Sequence, residues 1–234
     1  MLINYKNYRC LCLVLILFLS NIVSVSALES ICYGTTSNGK LEHSVQLPDS
    51  GKNYKSYSQA AALLGRTYVH SKVNEIIIAA YQFLEKEQTG KVYKYAETGF
   101  KEGGNFKPHK THKNGLSVDF MVPVLDEDGK SVHLPTHAFN KWGYSIEFDT
   151  LGRFENLRID YDALAAHIVA LDKMAKARGV GIWRVIFDPK LQPYLLKTKY
   201  ETYIKKNIKL SKKRSWVRHD EHYHVDFQIK CKKY

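Results

Sequence analysis

The sequence predicts one α+β domain, a mainly antiparallel central sheet with flanking helices. Three observations point there. Segments at 73–84 and 164–175 carry apolar residues at the 3,4 spacing of a helix with one buried face. LSVDFMVPV and HYHVDFQI alternate apolar and polar residues with the period of a strand. No repeat, low-complexity linker or proline-rich hinge divides the chain, and the stretch beyond residue 27 is long enough for a real core.

The first 27 residues read as a secretory signal peptide, 1–27, cleaved near Ala27. Lys6 and Arg9 give a positive start, Leu11 to Leu19 a short apolar stretch, and Val25 and Ala27 the small residues that signal peptidase needs. An uncleaved anchor is the other reading, but the apolar stretch is short for a membrane span. The domain is then 28–234, with no transmembrane segment, periplasmic or secreted. Lys6 and Arg9 leave with the signal, taking the net charge from +12 to +10. A basic exported protein suits an anionic surface such as cell wall or lipid; behind an export signal, nucleic acid is a poor partner. Cys10 and Cys12 leave too. Cys32 and Cys231 remain, and an oxidising compartment predicts that they form one bridge; two separate buried thiols are the alternative.

Residues 30 to 70 are polar and turn-rich, with TTSNGK and LPDSGKNY as loops. A helix comes next, with Ser71 as its N-cap and Val73, Ile76, Ile77, Ala80, Tyr81 and Leu84 as its buried face. KVYKYAET reads as a strand and GFKEGGNFKPHKTHKNG as a long loop. In LSVDFMVPV, Leu116, Val118, Phe120 and Val122 share one face, and Ser117 and Asp119 the other. A second helix runs from about Asp160 to Lys176 on the stripe Leu164, Ile168, Leu171 and Ala175, with Gly179 as its stop. IWRVIFD is a strand. A short helix near 190–206 and the basic loop KLSKKRSWVR lead to the last strand. There Tyr223, Val225, Phe227 and Ile229 face the core, and His222, His224, Asp226 and Gln228 the other side.

The chemistry lies in two places. His112 ends the long loop, Gly115 lets the chain turn, and Asp119 stands on the polar face of the next strand. If the last strand pairs beside this one, His112, Asp119 and one histidine of HYH converge. Two imidazoles and a carboxylate suit zinc and leave a fourth position open, as a catalytic site requires; a closed structural site would more often add cysteines. His222 and His219 would stand beside it as proton-transfer groups. Each piece alone is ordinary: a lone His-x-His is more often a surface feature, and His112 with Asp119 could be a loop cap and a solvated carboxylate. The specific feature is the agreement of strand phase at both ends. Other features read more blandly. KKNIKLSKKR is a solvated face or a grip on anionic polymer. Trp142, Tyr144, Trp183 and Trp216 are core residues or sugar-stacking platforms, with core preferred. HLPTH, with His133 and His137, shows no metal geometry.

The pattern H-x-x-G-x-x-x-D followed by H-x-H resembles the lysostaphin, D-Ala-D-Ala peptidase and hedgehog group of metallopeptidases. GGNFKPHKTHKNGLSVDF, with Gly103, Gly104, Phe106, His109, His112, Gly115 and Asp119, is closer still to the penicillin-insensitive murein endopeptidases. So are HDEHYHV, with His219, His222 and His224, and the N-terminal YGTTSNGKLEHSVQLP. The resemblance implies a hedgehog-like metallopeptidase core and a zinc endopeptidase, one Zn2+ per chain. It would cut peptidoglycan peptide cross-bridges between D-alanine and meso-diaminopimelate. It implies His112, Asp119 and His224 as metal ligands and His222 and His219 as catalytic histidines. His109 matches a position that can serve a second metal; alternatively it is a loop histidine bonded to backbone. Two rival functions are a D-Ala-D-Ala carboxypeptidase, with Arg153, Arg158 or Arg184 for the free carboxylate, and a non-catalytic wall-binding module.

Overall fold

The computed structural model describes residues 28–234; the expected signal peptide lies outside the described residues. In chain order the strands and helices are β1 (Ile31–Thr35), β2 (Asn38–Glu42), β3 (Val45–Gln46), β4 (Tyr54–Ser56), α1 (Gln59–Leu63), β5 (Tyr68–Val69), α2 (Ser71–Glu87) and β6 (Tyr93–Tyr95). Then come β7 (Ser117–Met121), β8 (Val124–Leu125), β9 (Ser131–Val132), a 3-10 turn at Ala138–Gly143, β10 (Arg153–Phe154) and β11 (Leu157–Ile159). The chain closes with α3 (Tyr161–Lys176), β12 (Gly181–Ile186), α4 (Gln192–Leu195), α5 (Glu201–Asn207) and β13 (His222–Gln228). The fold is α+β, as the sequence predicts.

The central sheet has the order β12-β13-β7-β6-β4. Its pairs are antiparallel except the parallel β4–β6 edge. The predicted alternation is realised. Val118, Phe120, Tyr223, Val225 and Phe227 enter the core, which α2 and α3 close from above. His167 of α3 sits in that layer, its ring 4.8 Å from Phe120 and 5.0 Å from Tyr81 of α2. The opposite face of the sheet carries Asp119, His222 and His224. A smaller sheet, β10-β11-β8-β9, comes after β7 in the chain.

Helix α2 buries the six predicted residues. Its N-cap, however, is His70 and not Ser71: His70 Nδ1 accepts from Lys72 N–H at 3.2 Å. Ser71 instead exchanges two hydrogen bonds with Ser30, which ties the first described residues to the helix. Helix α3 starts where predicted, with Asp160 accepting from Ala163 N–H. It is buried well beyond its stripe because α2, β12, α4 and α5 surround it. The single helix expected at 190–206 is two. Thr198 breaks it, donating to Leu195 O and accepting from Tyr200 N–H, side-chain bonds that compete with helix continuation. Residues 30–70, read as polar and turn-rich, also contain β1 to β5 and α1: LPDSGKNY is loop up to the start of β4, while TTSNGK runs through the turn between β1 and β2 into β2. β12 is not a regular strand. Its register shifts between Ile182 and Arg184, so Trp183 is an extra residue and stands 45 % exposed. Among the described residues no helix is long and apolar enough to cross a membrane.

The two ends of the described chain are joined. Cys32 of β1 and Cys231 form a disulfide with a Cα separation of 4.8 Å. Backbone bonds from Gly34 to Lys232 and from Lys232 to Cys32 reinforce it. The bridge closes a loop of 199 residues, which the chain-entropy account values at about 3–5 kcal/mol. Thiol labelling of the unfolded, unreduced protein is expected to find neither cysteine free, and reduction to lower the urea midpoint by a corresponding amount. Two labelled cysteines would contradict it.

The cap at His70 makes a second prediction. Burial pushes its imidazole down to about 4, while the unfolded chain takes up that proton near 6.5. The unfolded state therefore binds more protons between these values. The stability that neutral His70 contributes is present above pH 6.5 and lost as the pH falls towards 4. Between pH 7 and 4.5 the wild type should lose about 2–3 kcal/mol more than His70→Asn, which keeps a capping side chain. Equal losses in urea denaturation would contradict this.

Candidate metal centre

β7 and β13 lie side by side, and their register sets Asp119 opposite His224 and Met121 opposite His222. The convergence expected from strand phase is therefore present. His224 Nδ1 is 2.8 Å from Asp119 Oδ1. His112 Nε2 approaches the same oxygen at 3.3 Å. Around Oδ2 stand Tyr144, whose hydroxyl donates at 3.0 Å, His109 Nδ1 at 3.7 Å and His222 Nε2 at 3.8 Å. Asp119 is thus a buried carboxylate ringed by imidazoles.

The loop that delivers His112 is shaped for it. His112 has φ +68°, a left-handed conformation that costs a non-glycine residue roughly 1 kcal/mol or more. Gly115, at φ +75°, passes so close to His70 that a Cβ there would lie 2.8 Å from its amide nitrogen. His112 Nδ1–H donates to Thr98 O at 3.0 Å. That bond fixes the tautomer and leaves Nε2 with its lone pair, buried and without a hydrogen-bond partner. Burial keeps the ring neutral, pushing its pKa down against the pull of Asp119.

His224 is held at both nitrogens, Nδ1 by Asp119 and Nε2 by Asp226 at 2.8 Å. Asp226 in turn accepts from Ser117 Oγ–H and Arg184 Nε–H, each at 2.6 Å. Burial opposes charge on His224, but the two carboxylates outweigh it and hold the imidazole up at about 10. Burial likewise penalises Asp119 and Asp226; the imidazoles of His112 and His222 around the first, and His224 beside the second, hold both well below the usual carboxylate range. His222 Nδ1 is bonded to Glu221 Oε1 at 2.7 Å, and His219 Nδ1–H donates to Val217 O at 3.0 Å. The two rings lie 4.5 Å apart. Burial pushes them down to about 4 and about 3, and pushes Glu221 up to about 8.

His109 bonds a carboxylate, Glu97, and not the backbone. Glu97 also accepts from Arg66 Nε–H and from Tyr57 Oη–H. Burial raises the Glu97 carboxyl, but His109 and Arg66 outweigh it and bring it down to about 2. The ligand atoms of His109, His112 and Asp119 all lie within 4.8 Å of one another.

These residues fit a divalent metal. A lone-pair nitrogen is buried with no hydrogen-bond partner beside a carboxylate, and the donor set is imidazole and carboxylate. His224 adds a second imidazole whose far nitrogen is already held by a carboxylate, the usual support for a ligating histidine.

Sequence reasoning gave no role to Glu97, Glu221 or Asp226, and read Tyr144 only as core or a sugar-stacking platform. Asp226 shares the phase of His222 and His224, and Glu221 stands next to His222 in the chain, so both were readable as neighbours; Glu97 and Tyr144 reach the site through tertiary contacts. The aromatics are also corrected. Trp142 and Trp216, at 41 % and 48 % exposed, are not core but line the cleft above the site. That cleft has a volume of about 770 Å³. Of the three arginines considered for a substrate carboxylate, Arg184 lines the cleft but is tied to Asp226, and Arg153 and Arg158 belong to the smaller sheet.

An open cleft floored by buried imidazoles and carboxylates offers the proton-transfer groups that hydrolysis uses. The chain matches the penicillin-insensitive murein endopeptidase family over residues 32–233 and belongs to it. It is therefore a peptidase of a peptidoglycan-hydrolysing family, with peptidoglycan as the substrate that family membership indicates. A search of curated proteins found no match.

Glu97→Ala would strip Arg66 and His109 of their shared partner. The expected loss is about 3 kcal/mol in urea denaturation at pH 7, the scale of a broken buried pair. A loss below ~0.5 kcal/mol, the scale of an exposed pair, would contradict the role given to Glu97.

Proposed function

We propose that the domain is a zinc-dependent endopeptidase that cleaves peptide cross-bridges of peptidoglycan between D-alanine and meso-diaminopimelate, outside the cytoplasm. The observation that carries this reading is His112 Nε2, buried, unpartnered and 3.3 Å from Asp119, with His224 across the strand pair. Family membership supplies the substrate class. The disulfide and the basic charge accord with export of 28–234 after removal of 1–27.

His112, Asp119 and His224 would hold the ion, one per chain, with His109 as the neighbour able to serve a second position. When bound, zinc supplies Lewis acidity toward the scissile carbonyl and activates a water near neutral pH. The chain's own residues do the rest. Thr98 and Asp226 orient the two ligating rings from behind. His222, fixed at Nδ1 by Glu221, keeps Nε2 towards Asp119 and takes or returns a proton there. His219, fixed at Nδ1 by Val217 O, presents Nε2 as a second proton carrier. Tyr144 holds Asp119 Oδ2 by its hydroxyl. With Arg184 committed to Asp226, the cleft has no free arginine of the three considered for a terminal carboxylate, which favours cross-bridge cleavage over carboxypeptidase trimming.

His112→Ala, Asp119→Ala and His224→Ala should each lose metal and activity yet stay largely folded. His222→Ala should keep the metal and lose turnover by about 10² to 10⁴, and His219→Ala should do the same with a smaller loss. Metal content and digestion of defined cross-linked muropeptides, measured on the same preparations, decide the matter. Loss of zinc from His222→Ala as complete as from His224→Ala would overturn the role assignment, and activity surviving exhaustive chelation would overturn the metal.

A further inference from the structure

The face of the central sheet that carries the cluster also carries two lysines. Register places His222 opposite Met121, Met121 opposite Lys94 and Lys94 opposite Lys55, one row running from β13 through β7 and β6 to β4. Lys94 is only 6 % exposed. Its ammonium donates to two neutral oxygens, Leu134 O at 2.6 Å and Thr136 Oγ1 at 2.7 Å, which leaves one of its three protons over. Buried ammonium groups are ordinarily paired with a carboxylate. Lys94 makes no ion pair among the described residues, and Lys55, its register partner, sets a like charge beside it.

Both lysines line a pocket of about 520 Å³. His133 lines it too, with Nδ1 buried and without a hydrogen-bond partner. The one acid on its wall, Asp49, is bonded to Ser56 Oγ–H at 2.7 Å. Two ammonium groups and an unpartnered imidazole therefore face a single carboxylate. Burial and the neighbouring Lys55 push Lys94 down to about 7, as expected of a cation lacking its counter-charge. Tyr57 and Trp142 line both this pocket and the cleft over the cluster, so the two spaces are neighbours.

We propose that this pocket is a subsite for a free carboxylate of the substrate peptide, bound by Lys94 and Lys55 with His133 beside them. The proposal rests on the peptidase reading above. Two sheet spacings separate Lys94 from His222, about 10 Å, the length of roughly three extended residues. A carboxylate bound there stands away from the scissile bond, as one strand of a cross-linked dimer allows. It is too far to be the terminal carboxylate next to that bond.

The test compares two cross-linked peptide dimers, one with its free carboxylates and one with them amidated, on the metal-loaded mature protein. The wild type is expected to favour the carboxylate dimer by about tenfold or more through KM, the scale of one or two charge-assisted bonds. Lys94→Met and Lys55→Met should each reduce that preference to about twofold or less. Lys55 lies on the exposed edge strand, so its variant decides the matter if Lys94→Met misfolds. Lys206→Met, on α5, should keep the full preference. An unchanged preference in folded Lys94→Met and Lys55→Met, or no preference in the wild type, would overturn the subsite while leaving the peptidase reading intact. If the wild type cleaves neither dimer, the peptidase reading fails. Equilibrium binding then judges the subsite: a Lys94-dependent preference for the carboxylate dimer sustains it, and equal affinities overturn it.

Discussion

The structure depends on the pairing of β7 with β13. Asp119 and His224 are 105 positions apart, and only this register puts them 2.8 Å from each other. A slip of one residue would turn His222, His224 and Asp226 into the core and Tyr223, Val225 and Phe227 out of it. The apolar side therefore fixes the polar side. Phe120 and Tyr223 pack under α2 and under His167 of α3, and their packing holds the register on which the opposite face relies.

The second constraint is electrostatic. Burying Asp119 is costly unless positive charge or hydrogen bonds surround it. His224, held protonated, and the Tyr144 hydroxyl supply them. The protonated His224 between Asp119 and Asp226 provides the positive charge that a divalent cation would provide in its place. Thr98, Asp226 and Glu221 touch the rings from outside and decide which nitrogen faces inward, and Arg184 holds Asp226 in place. The strain at His112 belongs to the same design: Gly99 and Gly115 take conformations that let the loop turn its imidazole onto Asp119.

Much of this was legible in the sequence, and for a physical reason. Residues on one strand face are fixed by parity, so Asp119, His222, His224 and Asp226 could be placed on the polar side without knowing the fold. The face of α2 was legible because six apolar residues recur at helical spacing. Glu97 and Tyr144 were not legible as site residues, because their approach depends on how separate segments pack. Tyr144 looked like one more aromatic, yet its hydroxyl is bonded to Asp119. Strands β3, β4 and β5 escaped because two or three residues cannot display a period. The exposure of Trp183 arose from an extra residue in β12 that alternation alone does not reveal.

The most direct measurement is anomalous diffraction at the zinc edge from crystals of the mature protein grown with zinc. One strong peak bonded to His112 Nε2, the Asp119 carboxylate and His224 Nδ1 is the predicted result. A single peak held by His109 and Glu97 without His224, or an active protein with no peak at this cluster, would contradict the account.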